Sequence, residues 1–588
     1  MRQAMRRVFG GERGRWLIAA LVSLAALACM RALQPATFYD NDDLNIAWAL
    51  AGYRSGTPSF SHPFLNFLTA AFVSALYAVL PRAPWWLVVQ SAGLLFGMTA
   101  FGASLLKIAA DKRLPVWLPA CVYGLFLAGV FFYPAVLVTF TLTSAVLGMG
   151  AVALALAVAD ADAIKTQRAY LGLCAALLVM SFLIRQSSGL CAACFVFAAL
   201  GYRYLSARLC GDRAAAKRAL VTAGALALCA ALLTAANTFG RSALQPAGFL
   251  EFEEARAAYI DYPHDAYHEN PALYASVGWD ETLTGLADAW FFMDARIDAA
   301  SLHALSEGSA FSQLGVLARL QNGVSVLVTF LGKYPIGVYL CLLCGGVLLG
   351  NVAAFLAAWR RAWPKLLLCG CLYLGAGALL GYLCYAGRMN LRTLMAVVYP
   401  LLAGGAATAL LLLPDGAAWR KASPCPGRAR RVLCGAAAAA VFCAMLLPAY
   451  RTARTVYSYD SAEALAAARG LADYAMAHPG NVYIRDVYAA NNFDAVTVYP
   501  DEKPVNLMDW GGCDMYTSAR AAQMAKNGLT GPYADVFLQD NVYYVCEKDG
   551  VYSAMLSDYM AARYGAGATV CDELSGGLAV IKFSTGEQ

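Results

Sequence analysis

The stretch WLIAALVSLAALACMRALQPATFYDNDD, residues 16–43, decides the fold and directs the search for a site. Its first part, Trp16 to Leu33, is apolar and close to the roughly 20 residues that a helix needs to cross a bilayer. The acidic cluster Asp40-Asn41-Asp42-Asp43 follows. Carboxylates beside a bilayer are costly unless they are solvated or used. They are therefore candidates for metal binding or general base catalysis, on the side away from a basic N-terminal segment that carries Arg2, Arg6, Arg7, Arg13 and Arg15.

Composition places the chain in a membrane. Of its 588 residues, 60% are hydrophobic and 14% are charged, with a mean hydropathy of +0.54. A soluble chain carries about 25% charged residues. The net charge of +6 does not indicate nucleic acid, because the basic residues lie in short loops between apolar spans, where they determine topology. The first span lacks a small-residue cleavage site and is expected to be retained.

The hydropathy pattern predicts a polytopic α-helical protein with about eleven transmembrane helices. The apolar stretch 64–80 is expected to lie along the interface, since every basic loop then falls on one side. This arrangement places the N-terminus in the cytoplasm and the C-terminus outside, with a membrane domain over 1–450 and two long external loops, 35–84 and 239–333. The predicted spans are 16–34, 85–108, 114–133, 135–159, 169–185, 188–205, 219–238, 334–358, 366–386, 393–414 and 432–450.

After Tyr450 the composition becomes that of a soluble domain, 451–588. Alternating helices and short apolar strands predict a small α/β layer fold. Cys546 and Cys571 flank the same predicted helix, and a disulfide between them is expected in an oxidising exterior. The predicted helices are 461–476, 517–526 and 551–564, and the predicted strands are 481–487, 495–499, 542–546 and 578–583.

The first external loop supplies the acids of a candidate site. Asp42 and Asp43 are expected to begin a short helix, Leu44 to Ala51, and helix capping is the alternative role for either one. One Asp would satisfy capping, whereas this cluster has three. A carboxylate can deprotonate an acceptor hydroxyl. A carboxylate pair can instead hold a divalent cation such as Mg or Mn that neutralises a departing phosphate.

Three external arginines stand out against the inward bias of basic residues: Arg185, Arg388 and Arg392. A guanidinium binds phosphate oxygens in a bidentate manner, so the three could clamp a phosphate opposite the acids. The alternative is that they anchor helix ends at the interface.

Several short motifs carry a resemblance: Asp42-Asp43, Gly52, Gly56, Asn66, Leu183-Ile184-Arg185, Arg256, Asp261-Tyr262, Gly387-Arg388 and Leu391-Arg392. On these the chain resembles the GT-C superfamily of integral-membrane glycosyltransferases, and most closely a group of bacterial polytopic membrane proteins. The resemblance implies a polyprenyl-phosphate-linked sugar donor and a cell-envelope glycan, lipid or protein acceptor, at the bacterial inner membrane. It also implies that an acid of the first loop, Asp42 or Asp43 and next Asp40, is the catalytic base or a metal ligand. Loop residues expected at the substrate are His62, Asn66, Arg256, Asp261 and Tyr262.

Two other functions stay open at this point. One is a transporter or flippase of lipid-linked glycans, and the other is a non-catalytic envelope-assembly protein. A transporter is expected to carry broken helices or charged groups near the membrane midplane. Here the ionisable residues gather at the external ends of the spans, which favours chemistry at the membrane face.

Overall fold

The computed structural model describes residues 11–158, 163–333, 335–358, 363–415, 443–444, 446–451, 454, 462–491, 494–496, 503–512 and 515–586. Within these residues, nine helices are long and apolar enough to cross a membrane, which agrees with a polytopic helical protein. They are Glu12–Leu33, Trp85–Asp111, Trp117–Val136, Phe140–Ala157, Ile164–Ile184, Gln186–Leu209, Arg213–Leu244, Trp363–Ala386 and Leu391–Leu412.

A tenth crossing is built differently from the prediction. The predicted span 334–358 is the helix Pro335–Ala358, and it follows a further helix, Val316–Lys333. The two helices are bent by 107° relative to each other, so together they form a broken span or a re-entrant element. The predicted span 432–450 lies mainly outside the described residues.

The stretch expected at the interface forms a short helix, Phe67–Val79. Its 13 residues reach about 20 Å, which is too short to cross the roughly 30 Å hydrocarbon core. The Thr69 hydroxyl donates to the Leu183 carbonyl at 2.8 Å, at the end of the span Ile164–Ile184. The short helix therefore contacts the end of that span.

The helix Phe140–Ala157 is the centre of the bundle, and all 18 of its residues are buried. It packs against the spans Trp85–Asp111, Ile164–Ile184, Gln186–Leu209 and Leu391–Leu412. Small residues permit the close approach that holds such helices together. A Cβ atom at Gly97 would lie 2.4 Å from the Val146 carbonyl oxygen, so a larger residue would push two spans apart.

Basic side chains collect at one end of the bundle, which we call the basic end. Lys112 and Lys365 both donate to the Leu411 carbonyl, at 2.8 and 2.6 Å, and Arg203 donates to the Val158 carbonyl. These cations compensate helix C-termini, where carbonyl groups lack partners. The helix Leu391–Leu412 ends here and begins at the opposite end of the bundle, where the first-loop acids lie. We call that opposite end the acidic end.

A two-stranded sheet fixes the chain just before the acids. β1, Thr37–Phe38, pairs in parallel with β2, Leu137–Val138. The Tyr39 amide continues the ladder by donating to the Val138 carbonyl at 3.0 Å. Because β2 directly precedes the buried helix Phe140–Ala157, this pairing ties the acidic motif to the centre of the bundle.

The C-terminal region is an α/β layer fold, as predicted. Its sheet has the order β4-β3-β5-β7-β6, in which β4, β3 and β5 are parallel and the hairpin β6–β7 is antiparallel to β5. The helices are Ala462–Ala477, Ser518–Lys526 and Val551–Tyr564. The strands are β3 Val482–Asp486, β4 Leu507–Trp510, β5 Val542–Glu547, β6 Ala566–Leu574 and β7 Leu578–Thr585.

Two expectations about this region differ from the structure. The predicted Cys546–Cys571 disulfide is wrong, because both cysteines are free and β7 separates their strands, which places them about 10 Å apart. The predicted strand 495–499 lies largely outside the described residues, and Ala495 is in a turn.

The second external loop is helical and shares a hydrophobic core with the C-terminal region. Tyr259 and Phe292 from the loop pack in one cluster with Ile484 and Tyr544 from the sheet. The loop and the C-terminal region thus form one structural unit, which we call the external unit. The loop helices are Phe249–Ile260, Pro271–Ser276, Glu281–Asp288, Ala299–Gly308 and Ala310–Gln313.

Candidate active site

The acidic motif forms the N-terminus of a helix, Asn41–Ala51, which we call the acidic helix. The Asp40 side chain caps it by accepting from the Asp42 amide at 3.2 Å. Gly52 ends it with a φ of +71°, and a Cβ atom there would lie 2.3 Å from the carbonyl carbon of Thr57. Capping therefore engages one acid, and two remain to be explained.

Asp40 and Asp42 share a single arginine. One Nη atom of Arg392 lies 2.6 Å from a carboxylate oxygen of Asp40 and 2.8 Å from one of Asp42. Arg392 is in the first turn of the span Leu391–Leu412, which Asn390 caps, and its guanidinium lies 5.7 Å from the Tyr39 ring centroid. All three charged side chains remain about a quarter exposed. The pair is thus fixed in place yet accessible.

The pKa of Asp40 is raised well above its ordinary value. Withdrawal from water is the main cause and the neighbouring Asp42 carboxylate adds to it, while Arg392 opposes both. A carboxyl beside a second carboxylate holds its proton more readily than an isolated one. A raised pKa brings a carboxyl closer to the range in which it can accept and return a proton at neutral pH.

Asp43 points the other way, into the protein, and is fully buried. Its Oδ1 atom accepts from Trp86 Nε1 at 2.9 Å, Gln90 Nε2 at 2.9 Å and the Phe140 amide at 3.2 Å. Burial raises its pKa, although nearby donors counteract that effect. The structure therefore separates the two acids that the sequence treats together: Asp42 faces the accessible side, and Asp43 pins the acidic helix to two spans.

Arg185 lies between two spans, Ile164–Ile184 and Gln186–Leu209, at the acidic end. Its guanidinium carbon is 4.5 Å from the Phe140 ring centroid, and its charge interacts with those of Asp40, Asp42, Arg388 and Arg392. Burial lowers its pKa to about 10, so it stays cationic at neutral pH. Within the described part of the chain the Arg185 side chain forms no ion pair, although two carboxylates lie close by.

Arg388 connects the acidic end to the second external loop. It donates to Asp261 at 2.7 Å, and its guanidinium lies 5.4 Å from the Tyr262 ring centroid. The preceding Gly387 has a φ of +73°, and a Cβ atom there would lie 2.5 Å from Pro263. The predicted residues Arg388, Asp261 and Tyr262 are therefore brought together, beside the arginine group.

The other predicted loop residues hold the fold. His62 is buried, and burial together with the Arg54 charge lowers its pKa to about 3. Asn66 caps the helix Phe67–Val79 by accepting from the Leu68 amide at 3.1 Å. Arg256 forms a bidentate pair with Glu253, at 2.9 and 2.6 Å, over the Trp290 ring. These contacts give the three side chains structural roles, although the Asp42 charge also reaches His62 and opposes the fall in its pKa.

A buried charge network behind the acidic helix is absent from the sequence prediction. Asp509 of β4 accepts from Arg485 of β3 at 2.5 Å and from Arg54 of the first loop. Arg54 also donates to Asn45 of the acidic helix at 2.6 Å. The guanidiniums of Arg485 and Arg54 lie 4.9 and 5.8 Å from the ring centroid of Trp48. No local signal could reveal a network whose members are 455 residues apart.

The donor set around the acid pair fits an arginine better than a divalent cation. The Arg392 guanidinium stands between the two carboxylates, in hydrogen-bond contact with both. Among the described residues, no group of three or more His, Cys, Asp or Glu side chains converges in a way that could hold a metal ion. Asp42 and Asp43, the pair predicted for a metal, point to different environments.

Two solved structures are similar to this chain. They are crystal structures of ArnT from Cupriavidus metallidurans, one in the apo state and one bound to undecaprenyl phosphate. The sequence identities are 13% and 12% and the TM-scores 0.40 and 0.38, and each match covers 96% of this chain and 97% of that one. Likeness at this level carries no weight for the reaction, the substrate or the site residues.

No protein-family model and no curated protein matches the chain. The fold and the site define the class: this is a polytopic helical membrane protein with a folded external unit. An acid–arginine site lies at the acidic end of its helical bundle.

Proposed function

We propose that the chain is a membrane glycosyltransferase that moves a sugar from a polyprenyl-phosphate-linked donor to a cell-envelope acceptor outside the cytoplasm. Arg185 is the observation that carries the proposal, since it is a guanidinium without an ion pair among the described residues, held over Phe140 beside an acid pair. Arg185 is partly buried, and a partly buried cation without an ion pair is costly unless it serves an anion. A lipid-linked phosphate at the end of the bundle would supply that anion.

In the proposed reaction, an acceptor hydroxyl attacks the anomeric carbon of the donor sugar. The bond between that carbon and the phosphate oxygen breaks, and the polyprenyl phosphate leaves with the bonding electrons. The hydroxyl proton passes to a carboxylate, for which we propose Asp42 with Asp40 as its partner. Arg185 and Arg388 stabilise the phosphate charge that grows as the bond breaks.

Arg392 has two roles in this proposal. It holds Asp40 and Asp42 in position by ion pairs, and its positive charge influences proton exchange at both carboxyls. Asp43 is a positioning residue, because its Oδ1 atom accepts from three donors and its side chain is fully buried. No step is assigned to a divalent cation, since Arg392 occupies the space between the carboxylates.

The test uses the full chain, reconstituted in lipid nanodiscs with a panel of labelled polyprenyl-phosphate sugars and an envelope extract as acceptor. Asp42→Asn is expected to lower turnover by at least a hundredfold, the usual contribution of a general base. Arg185→Gln is expected to raise the donor KM, and Arg185→Lys to restore part of the loss. Arg563→Gln, at an exposed position of the helix Val551–Tyr564, is the matched control.

Three results would contradict the proposal or part of it. If wild-type protein transfers no sugar from any donor, the enzyme assignment fails. If it instead moves a fluorescent lipid-linked glycan between leaflets without transfer, the transporter is the better description. If transfer occurs but Asp42→Asn and Arg185→Gln keep wild-type kinetics, the site assignment is wrong.

A further inference from the structure

A cleft inside the external unit is large enough to hold a ligand. Its volume is about 690 Å³, within the range of about 300–1,000 Å³ that ligand pockets in proteins occupy. One wall comes from the start of the helix Phe249–Ile260 and from residues 295 and 297–300, and the other from the helix Ser518–Lys526 and residues 529–533. It therefore lies between the second external loop and the C-terminal region.

Aromatic rings line this cleft. Phe252 and Tyr516 meet edge to face, with ring centroids 4.5 Å apart, and Tyr533 is more than a third exposed. The Tyr516 hydroxyl donates to the Phe292 carbonyl at 2.7 Å, so its ring is held in place. Fixed aromatic faces of this kind stack against the apolar faces of sugar rings, and they lose little conformational freedom on binding.

The charges of the cleft are acidic. Glu251 and Asp298 are its ionisable lining residues apart from tyrosine, and no lysine, arginine or histidine contributes to the described lining. Asp298 also caps the helix Ala299–Gly308 by accepting from the Ser301 amide at 2.7 Å. An anionic ligand would face two uncompensated carboxylates, whereas hydroxyl or ammonium groups would find acceptors.

The wall helix Ser518–Lys526 also contacts the first external loop. The Lys526 ammonium donates to the Ser55 carbonyl at 2.8 Å. The Ser518 amide donates to Gln245, and Gln245 donates to Ser61, at 2.9 and 2.8 Å. A ligand in the cleft would therefore contact a helix that is hydrogen-bonded to the loop carrying Asp42.

We propose that this cleft binds the acceptor of the transfer reaction, and that the acceptor presents a neutral or amino-bearing oligosaccharide there. The assignment of the ligand as acceptor rests on the proposed function, whereas the presence of the saccharide site does not. A phosphate-rich or carboxylate-rich glycan is a poor ligand for the cleft, because nothing in its described lining offsets the charges of Glu251 and Asp298.

The test measures binding to the full chain in nanodiscs without any donor, by titration calorimetry. The probes are the trimer of N-acetylglucosamine, the trimer of glucosamine and the trimer of galacturonic acid. The two uncharged or amino-bearing trimers are expected to bind, and the acidic trimer is expected to bind at least tenfold more weakly.

Two alanines of the wall helix provide a filling variant and its control. Ala525 lines the cleft and Ala522 does not, and both are exposed. Ala525→Trp is expected to raise the Kd for the neutral trimer at least tenfold, while Ala522→Trp leaves it unchanged. Glu251→Gln tests the charge without filling the space, and it is expected to reduce any preference for the amino trimer, because Asp298 remains.

Binding of the acidic trimer as tightly as the neutral one would overturn the charge argument. Saccharide binding that survives Ala525→Trp would place the site elsewhere. If no trimer binds but an uncharged apolar peptide such as Ala-Phe-Leu does, in a manner sensitive to Ala525→Trp, the cleft is a peptide site and the proposal is wrong. Because no readout involves sugar transfer, failure of the proposed reaction would leave these results interpretable.

Discussion

Asp509→Asn is the most revealing single substitution for the architecture, because one carboxylate holds two arginines from distant parts of the chain. Arg485 lies opposite Asp509 in the β3–β4 ladder, and Arg54 comes from the first external loop. All three side chains are at least nine-tenths buried. Burial alone would raise the pKa of Asp509, but Arg485, Arg54 and Arg520 outweigh it and hold that pKa well below its usual range.

The magnitude follows from leaving buried charges without their partner. Removal of one member of a buried ion pair costs about 3–5 kcal/mol. Asparagine can still accept a hydrogen bond, but it cannot neutralise two guanidiniums. About 1.4 kcal/mol corresponds to a factor of ten in an equilibrium constant. In Asp509→Asn, the backbone amides of β3 and β4 that exchange when this sheet edge opens should therefore exchange about a hundred to a few thousand times faster.

Hydrogen–deuterium exchange of the full chain in nanodiscs at neutral pH measures this effect. Asp509 has a depressed pKa, so its contribution is fully present above about pH 4 and is lost as the pH falls further. Glu573→Gln is the control, because Glu573 lies on β6 at the opposite edge of the same sheet and its pair with Lys548 is about half exposed. Loss of that pair should leave exchange of β3 and β4 unchanged. Less than a tenfold change at β3 and β4 in Asp509→Asn would refute the electrostatic reasoning.

Three further outcomes are expected. Asp43→Asn should keep the fold but lower the free energy of unfolding by about 1–3 kcal/mol, because it weakens buried hydrogen bonds. It should lower turnover far less than Asp42→Asn does and leave KM unchanged, and a complete loss of transfer would return Asp43 to the catalytic group. Wild-type stability should fall by about 2 kcal/mol between pH 6.5 and pH 5, because the buried neutral His62 binds a proton only on unfolding; thermal unfolding of His62→Gln should lack this part of the pH dependence. Incubation with a chelator should leave transfer unchanged, since Arg392 already stands between Asp40 and Asp42; loss of activity that Mg or Mn restores would contradict this.

Much of the fold could be predicted from the sequence, because apolar length is a strong signal in a membrane protein. Nine of the predicted spans correspond to long apolar helices, and the 13-residue helix Phe67–Val79 was correctly kept apart from them. The helix Val316–Lys333 was not predicted, because its residues were assigned to the external loop 239–333, although the span predicted from 334 does begin at the bend. The long helix Arg213–Leu244 exceeds its predicted span because its ends leave the apolar stretch without a stop signal.

In the external unit, prediction succeeded where the pattern was local. The helix Val551–Tyr564 was predicted with its exact bounds, and β5 nearly so. β6 was missed because most of its residues are exposed, so it lacks the apolar alternation of a half-buried strand. The Cys546–Cys571 disulfide failed for a related reason, since the order of strands in the sheet is set by long-range packing that spacing along the chain does not encode.

The site illustrates the same division. The acids and the arginines could be nominated from the sequence, because charges at the external ends of spans are rare. Which of these side chains come together could not be predicted, because the direction of each carboxylate depends on distant partners. Trp86 and Arg392 are such partners, and Arg392 is 350 residues away from Asp42. Asp42 and Asp43 are neighbours in sequence with opposite surroundings, because successive residues on a helix point about 100° apart.

The acidic helix links the two proposed sites physically. Its N-terminus carries the acid pair held by Arg392, and its Asn45 accepts from Arg54, whose other partner is Asp509 in the external unit. Just beyond its last turn, Lys526 of the cleft wall holds the Ser55 carbonyl. Because both contacts are hydrogen bonds in buried or partly buried surroundings, a shift of the wall helix on acceptor binding would act on the acidic helix and on the loop that follows it. Acceptor binding and the position of Asp42 are therefore expected to be coupled.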